Sequence, residues 1–473
     1  MAVHRISYAS DLGWGKGESA SLYAGGQATY DPTVTGFDIF RTIGALRTGY
    51  APTEIGGATI DDQIWHLTAV TEYTAASATR CAFGYSSGGK LYKITDETTP
   101  VVTLLASAVS SPVMGGLVDH KNYIYYPRAT NLGRWGSIGT GSSASNDGTY
   151  VTGLAATAKG INITHPLHSW NGKLYYGDSN LLKYVLGSET TGTTGTTAIT
   201  LDADHVITAI TDNGTRLYFG AGIEPDSTKD TKSDCFFYVW DGTSTNFNER
   251  YPFPEPYIHK IRVVDNTVYV FGRNYLYRLV GSSFQIVQPL GQRVGPGGVA
   301  ENRNSLFWKD SACIRAYGSP DPQIPKARYS PFASTGTDVN AIIWMEDTKF
   351  WYADNNNLYE CKTGSQTGNI FRTKKIAPGQ LESIDEVRIY LTANLASGDD
   401  VRVLIYDETG GTSYNAVTFD FATYGAVNQF SLRAHQFTEA VPFVSSYQIG
   451  VKMNAGAAVV REVIVFTNPP EQP

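Results

Sequence analysis

Only a few stretches of this sequence bring together side chains whose types and spacing could do chemistry. His165 and His168 form the closest histidine pair, and two imidazoles begin a zinc site that only a third ligand completes. Asp202, Asp204 and His205, with the acidic run from Asp226 to Asp234, offer carboxylate oxygens of the kind calcium binds. The alternating ligands and closing Glu of an EF-hand loop are missing, so these read as solvated loop charges. Gly13-Trp14-Gly15-Lys16-Gly17 has the glycines and lysine of a phosphate cradle, without the GxxxxGK[ST] spacing and without a strand-to-helix junction. Cys81, Cys235, Cys313 and Cys361 are scattered and form no CxxC pair, so they read as buried, reduced thiols in strands. There is no HExxH pair and no Ser-x-Asp-x-Gly-x-x-Trp box. No catalytic, cofactor-binding or metal-ligating residue is therefore designated, no cofactor is expected, and the chain reads as a non-enzyme. Carboxylates far apart in sequence can still meet in space, so spacing alone leaves a paired-carboxylate hydrolase open.

The elements that would position such groups are strands. At 473 residues the chain is too long for one ordinary domain. Its apolar content leans on 30 Tyr, 20 Phe and 8 Trp against 4 Met, with 48 Gly, which suits half-buried pleated surfaces joined by tight turns. No long Ala/Glu/Lys/Leu-rich helical stretch appears. The net charge of −7 argues against broad nucleic-acid binding, which needs a basic face. The densest basic group, Arg372, Lys374 and Lys375, reads as a solvated turn. The start, Met1-Ala2-Val3-His4-Arg5-Ile6, lacks the basic and apolar regions of a secretory signal. No stretch reaches the roughly 20 apolar residues of a membrane span, so synthesis in a cytoplasm is expected.

A polar turn leading into a short aromatic strand recurs along the chain. The copies are Asp61 to Leu67, Asp119 to Tyr125, Trp170 to Tyr176, Asp212 to Phe219, Asp265 to Phe271, Glu301 to Trp308 and Glu346 to Tyr352. From Trp65 through Tyr123, Leu174, Tyr218, Tyr269, Phe307 and Trp351 the steps are 58, 51, 44, 51, 38 and 44 residues. Four strands with their turns need roughly 40 to 50 residues, the period of a propeller blade. A second strand follows most copies at hairpin distance, as in Leu91 to Ile94, Leu181 to Tyr184, Cys235 to Trp240 and Leu358 to Cys361. Asn- and Gly-rich linkers between them have the chemistry of turns needing positive φ. Trp240-Asp241 is a lone Trp-Asp pair without the Gly-His partner of a WD repeat. The double glycines at 88–89, 115–116 and 297–298 resemble kelch blades but do not recur in register.

Two regions lie outside the repeat. Residues 1–60 are rich in Gly, Ser and Thr and read as an N-terminal arm, part of which could supply a strand that closes the ring. From residue 379 to the end the strands are cleaner and more β-branched, as in Ile384 to Tyr390, Asp400 to Tyr406 and Val459 to Phe466. This suits a small β-sandwich. The expected architecture is all-β: an arm (1–60), a β-propeller of about seven blades (61–378) and a β-sandwich (379–473).

Three features together carry a resemblance. They are the aromatic, degenerate propeller, the arm with Asp31-Pro32, Gly36-Phe37-Asp38-Ile39-Phe40-Arg41 and Gly44 to Tyr50, and the terminal Ser383 to Tyr390 and Ala396 to Val403 strands. In organisation the chain resembles the propeller-bearing structural proteins of bacteriophage tails, such as nozzle-like components. The resemblance implies a structural virion protein, located in the virion after synthesis in the host cytoplasm. It further implies a ring about the tail axis near the DNA exit channel, touching other copies of itself and neighbouring tail proteins. Passage of DNA would be transient, since acidic walls would repel phosphates rather than hold them. The alternative expectation is a carbohydrate-binding or glycoside-cleaving propeller at a cell surface, with exposed aromatics stacking on sugars.

Overall fold

The computed structural model describes residues 2–7, 37–38, 46–47, 49–55, 60–73, 78–97, 99–107, 111–138, 145–158, 161–222, 234–302, 304–310, 313–319, 326–333, 339–346, 349–362, 369–377, 382–407, 409–410, 413–441, 445–455 and 458–468. The architecture is all-β: a seven-bladed propeller and a β-sandwich. Seven four-stranded antiparallel sheets follow one another along the chain. Their innermost strands are Ile64–Tyr73, Val118–His120, Leu167–Trp170, Ile207–Asp212, Lys260–Val264, Val299–Asn302 and Val339–Glu346. The seventh sheet takes its outermost strand from the N-terminal region. Pro52–Ile55 pairs antiparallel with Asn357–Cys361, so one sheet holds both ends of the propeller segment.

The recurring polar turn is a two-residue hairpin. Lys121-Asn122 and Asp265-Asn266 both sit at positive φ, as does Asn171-Gly172, the signature of type I′ turns that join an inner strand to the next. Six of the seven aromatic copies accordingly mark second strands, from Tyr123–Pro127 to Lys349–Asp354. The first copy is different. Trp65 lies on the inner strand Ile64–Tyr73, and its counterpart on the second strand lies within Ala78–Ser86, where Phe83 and Tyr85 are fully buried. The first step of 58 residues is long because it begins one strand too early.

Between each pair of adjacent blades lies one buried cluster. Phe83 and Tyr85 of blade one meet Ile124, Tyr126 and Trp135 of blade two. Tyr175 and Leu182 of blade three meet Phe219, Tyr238 and Trp240 of blade four. Trp351, Leu358 and Ile55 of blade seven meet Ile64, Tyr92 and Ile94 of blade one, which closes the ring. Burying one such side chain stabilises by roughly 1.5–3 kcal/mol, so the aromatic composition is spent on these seams. The four cysteines lie in strands, buried and with no disulfide between them.

The sandwich has two four-stranded sheets. One runs Ala2–Ser7, Val460–Asn468, Ser383–Leu391, Gln429–Arg433, and the other Asn369–Arg372, Gln448–Ala455, Asp400–Tyr406, Ser413–Asp420. Phe419 and Phe430 pack against each other across them, ring centroids 4.5 Å apart and planes tilted by 37°. Two of these strands come from outside 379–473. The first residues of the chain add an edge strand, with Ala2 opposite Thr467 and Ser7 opposite Glu462. Propeller and sandwich share one core, in which Phe332 and Phe350 are continuous with Phe371, Val401 and Val463. The arm passage fastens the joint: the Phe37 amide donates to the Ser330 carbonyl of blade six at 3.0 Å, and Leu46 exchanges two backbone bonds with Val460 of the sandwich. Both side chains are buried in the shared core.

This joint also corrects the reading of the basic triplet as a solvated turn. Arg372 lies 3.7 Å over the Tyr406 ring, and Lys374 is 2% exposed, its ammonium pushed down by burial and by Arg328. Shared-core packing, rather than local polarity, decides where these side chains go.

Candidate functional site

The inner strands of all seven blades line a central channel enclosing about 360 Å³. Strand alternation decides which residues reach it. On Lys260–Val264, Ile261 and Val263 pack into the core shared with blade four, so Lys260 and Arg262 take the opposite side, toward the channel. His66 reaches it through a β-bulge: the ladder between the first two strands of blade one slips by a residue between Ile64 and His66. Bulges re-aim side chains in this way. Asp119 of blade two, His168 of blade three and Glu301 of blade six complete the charged lining.

One side of the channel is closed by backbone. Gly297, in the connection between blades five and six, accepts a hydrogen bond from the Ile342 amide of blade seven at 3.0 Å. A Cβ there would sit 2.0 Å from the Trp65 carbonyl oxygen, so only glycine lets the connection cross.

Electrostatics divide the lining. Burial, together with the Arg262 charge, pushes the Lys260 ammonium down to about 7, against the opposing pull of Glu301. Burial and then the charges of Lys260 and Arg262 push His66 down to about 3, although a hydrogen bond to the Met114 backbone opposes them. Burial raises the Asp119 carboxyl. His168 is already engaged: its Nε2 lies 2.5 Å from the Asp212 carboxylate, a contact that holds Asp212 below the usual carboxylate range. Arg262 Nη2 reaches the Val299 carbonyl at 3.5 Å, but Arg262 Nε and His66 Nε2 are buried without a partner among the described residues.

The residues singled out in the sequence are dispersed. His165 is fully buried between the Gly177 and Ala129 carbonyl oxygens, at 2.8 and 3.0 Å, and does not meet His168. Asp202 and His205 form one loop, with the ring 3.3 Å from the Tyr238 hydroxyl. Asp234 is described, whereas Asp226 and the rest of that run lie outside the described residues, as does Gly13 to Gly17. Asp241 caps its own loop, accepting from the Thr243 and Ser244 amides at 2.8 Å each. Among the described residues no three His, Cys, Asp or Glu side chains group to hold a metal, and no helix is long and apolar enough to cross a membrane. Lys260, Arg262 and His66 carried no sequence signal beyond the alternation of Lys-x-Arg on a strand. Their meeting depends on the ring closing.

No protein-family model matches the sequence, and no curated protein matches it. Solved structures similar to the chain include the computationally designed Ika8 protein, at 13% identity and a TM-score of 0.42, covering 66% of this chain and 98% of that one. The WD40 beta propeller domain of Doa1 is 9% identical with a TM-score of 0.43, covering 66% and 96%. YCF48, solved bound to D1 peptide, is 10% identical with a TM-score of 0.45, covering 70% and 100%.

Proposed function

We propose that the chain is a structural virion protein of a phage tail. In this reading it assembles with copies of itself and with neighbouring tail proteins as a ring around the tail axis near the DNA exit channel. The observation that carries the reading is the welded construction. The first strand of the chain lies in the sandwich, Phe37 hooks blade six, Leu46 returns to the sandwich, and Pro52–Ile55 completes blade seven. A chain threaded this way cannot lose one body without unzipping the other, which suits a part that transmits load. The Phe37 and Leu46 hooks fall in the arm passage that carries the tail resemblance, and Ser383–Leu391 and Asp400–Tyr406 fall in its terminal passage. Quantitative mass spectrometry of purified particles tests it: the chain should be present in a fixed whole-number ratio to the other tail proteins. Its absence from washed particles would refute the proposal.

A second reading, a glycan-handling propeller, draws on the channel carboxylates. Asp119 and Glu301 stand on blades two and six, and burial keeps Asp119 protonated to higher pH, as a general acid requires. Release of reducing sugar from a host polysaccharide, lost in Asp119→Asn, would favour this reading over the structural one.

A further inference from the structure

We propose that the central channel contains a binding site for a small oxyanion group, phosphate or carboxylate, gripped by Lys260 and Arg262 of blade five with His66 of blade one as its third contact. The inference is independent of the tail reading, because it concerns only the side chains that ring closure brings together.

Three observations carry it. Lys260 and Arg262 are two residues apart on one strand and share a side, so their charges repel, yet neither forms an ion pair with a described residue. Nearby Glu301 is exposed and pulls on Lys260 only through space. Two like charges against a half-enclosed wall, neither with an ion-pair partner among the described residues, are costly unless an anion joins them. Next, the Arg262 fork is half used. Its Nη2 leans on the Val299 carbonyl and orients the plane, while the Nε hydrogen is buried with no acceptor. A guanidinium so held leaves one donor for which the protein supplies no oxygen. Last, His66 is 4% exposed, its Nε2 has no partner, and it lies within the field of both cations. Neutral, that nitrogen accepts from the hydroxyl of a protonated phosphate; charged, it donates to a carboxylate or phosphate oxygen.

The remaining charges limit what fits. Asp119 and Glu301 also line the channel, and His168 is occupied by Asp212. A large polyanion would meet the two carboxylates, whereas a single compact oxyanion needs to touch only the basic side. Bound there, it would cancel the field that opposes protonation of His66 and Lys260. Anion uptake should therefore draw protons into the protein, with Asp119, Glu301, Arg262 and the His168–Asp212 pair as the other charges facing those groups.

Titration calorimetry of the full chain with inorganic phosphate, sulfate and acetate, at pH 6.5 and constant ionic strength in chloride, tests this. Saturable binding of at least one anion is expected, with a heat that varies with the ionisation enthalpy of the buffer because protons are taken up. Lys260→Met and Arg262→Gln should each weaken it at least tenfold, and Arg262→Lys, which keeps the charge but loses the Nε donor, should fall between. Arg216→Gln, at an exposed ion pair with Glu249, should bind as the native chain does. Unfolding midpoints without anion identify any variant that fails to fold, and Arg262→Lys then carries the comparison. Absence of saturable heat with all three anions, or equal affinity in the native chain and the folded channel variants, would overturn the proposal. Phosphate binding without acetate binding would assign the site to phosphate groups, and the reverse to carboxylates.

Discussion

Acid should loosen this protein through two deeply buried histidines. His66 and His259 are 4% and 3% exposed, and each is pushed down to about 3. For His66 the causes are burial and then Lys260 and Arg262; for His259 they are burial and then Arg293 and Arg273. An unfolded imidazole titrates near 6.5. Because the folded value is the lower one, protons favour the unfolded chain. The stabilisation is complete above about pH 6.5 and is lost as the pH falls toward 3. Between pH 7 and pH 5 the unfolded ring goes from mostly neutral to mostly charged while the folded ring stays neutral. Integrating that difference gives a loss of about 2 kcal/mol per ring, or about 4 kcal/mol for the pair. This is a large share of the 5–15 kcal/mol typical of a folded domain. His4, His120 and His205 are lowered by burial as well and act in the same direction. Urea unfolding at pH 7 and pH 5, for the native chain and for the His66→Asn/His259→Asn double variant, isolates the pair. The double variant should lose about 4 kcal/mol less than the native chain over that interval. Equal losses in the two proteins would show that these two imidazoles do not govern the acid sensitivity.

Other expectations follow from single contacts. Lys349 of blade seven and Asp96 of blade one form an ion pair across the ring seam, their side chains 5% and 2% exposed. Lys349→Met should cost about 3–5 kcal/mol by stranding the carboxylate, and adding Asp96→Leu should restore most of it, read by urea midpoint. Phe37→Ala empties a site in the core shared by both bodies, so a loss of about 3–5 kcal/mol is expected in denaturant unfolding. Burial pushes the Cys81 thiol up to about 12, and those of Cys235 and Cys361 higher, while Cys313 is equally buried. All four should resist a thiol reagent at pH 8 until the chain is unfolded.

What could be read from the residues alone was whatever local chemistry decides. Two-residue turns such as Asp265-Asn266, followed by alternating Tyr269 and Phe271, announce a hairpin because positive φ and period two are local properties. Blade spacing followed from that, except at Trp65, where an inner strand carries the same aromatic pattern as a second strand and local pattern cannot tell them apart. Contacts between distant segments were illegible. Pro52–Ile55 reads as a polar stretch until its partner at Asn357–Cys361 is known, and Ala2–Ser7 has no signal tying it to Val460–Asn468. Arg372 and Lys374 looked solvated because neighbouring charges usually are, yet the aromatic face of Tyr406 and the shared core decide otherwise. The channel follows the same rule. Lys260, Arg262 and His66 lie on blades five and one, and only closure of the ring gives them a common space.

In the proposed role this welded propeller and sandwich are a part of a larger ring. Electron cryomicroscopy of the native assembly is the decisive test of that role. Copies of the chain arranged by rotational symmetry about the tail axis are expected, each with its sandwich fixed against blades six and seven as in the isolated chain. A chain found on its own in solution, with no density for it in intact particles, would rule out the proposed role.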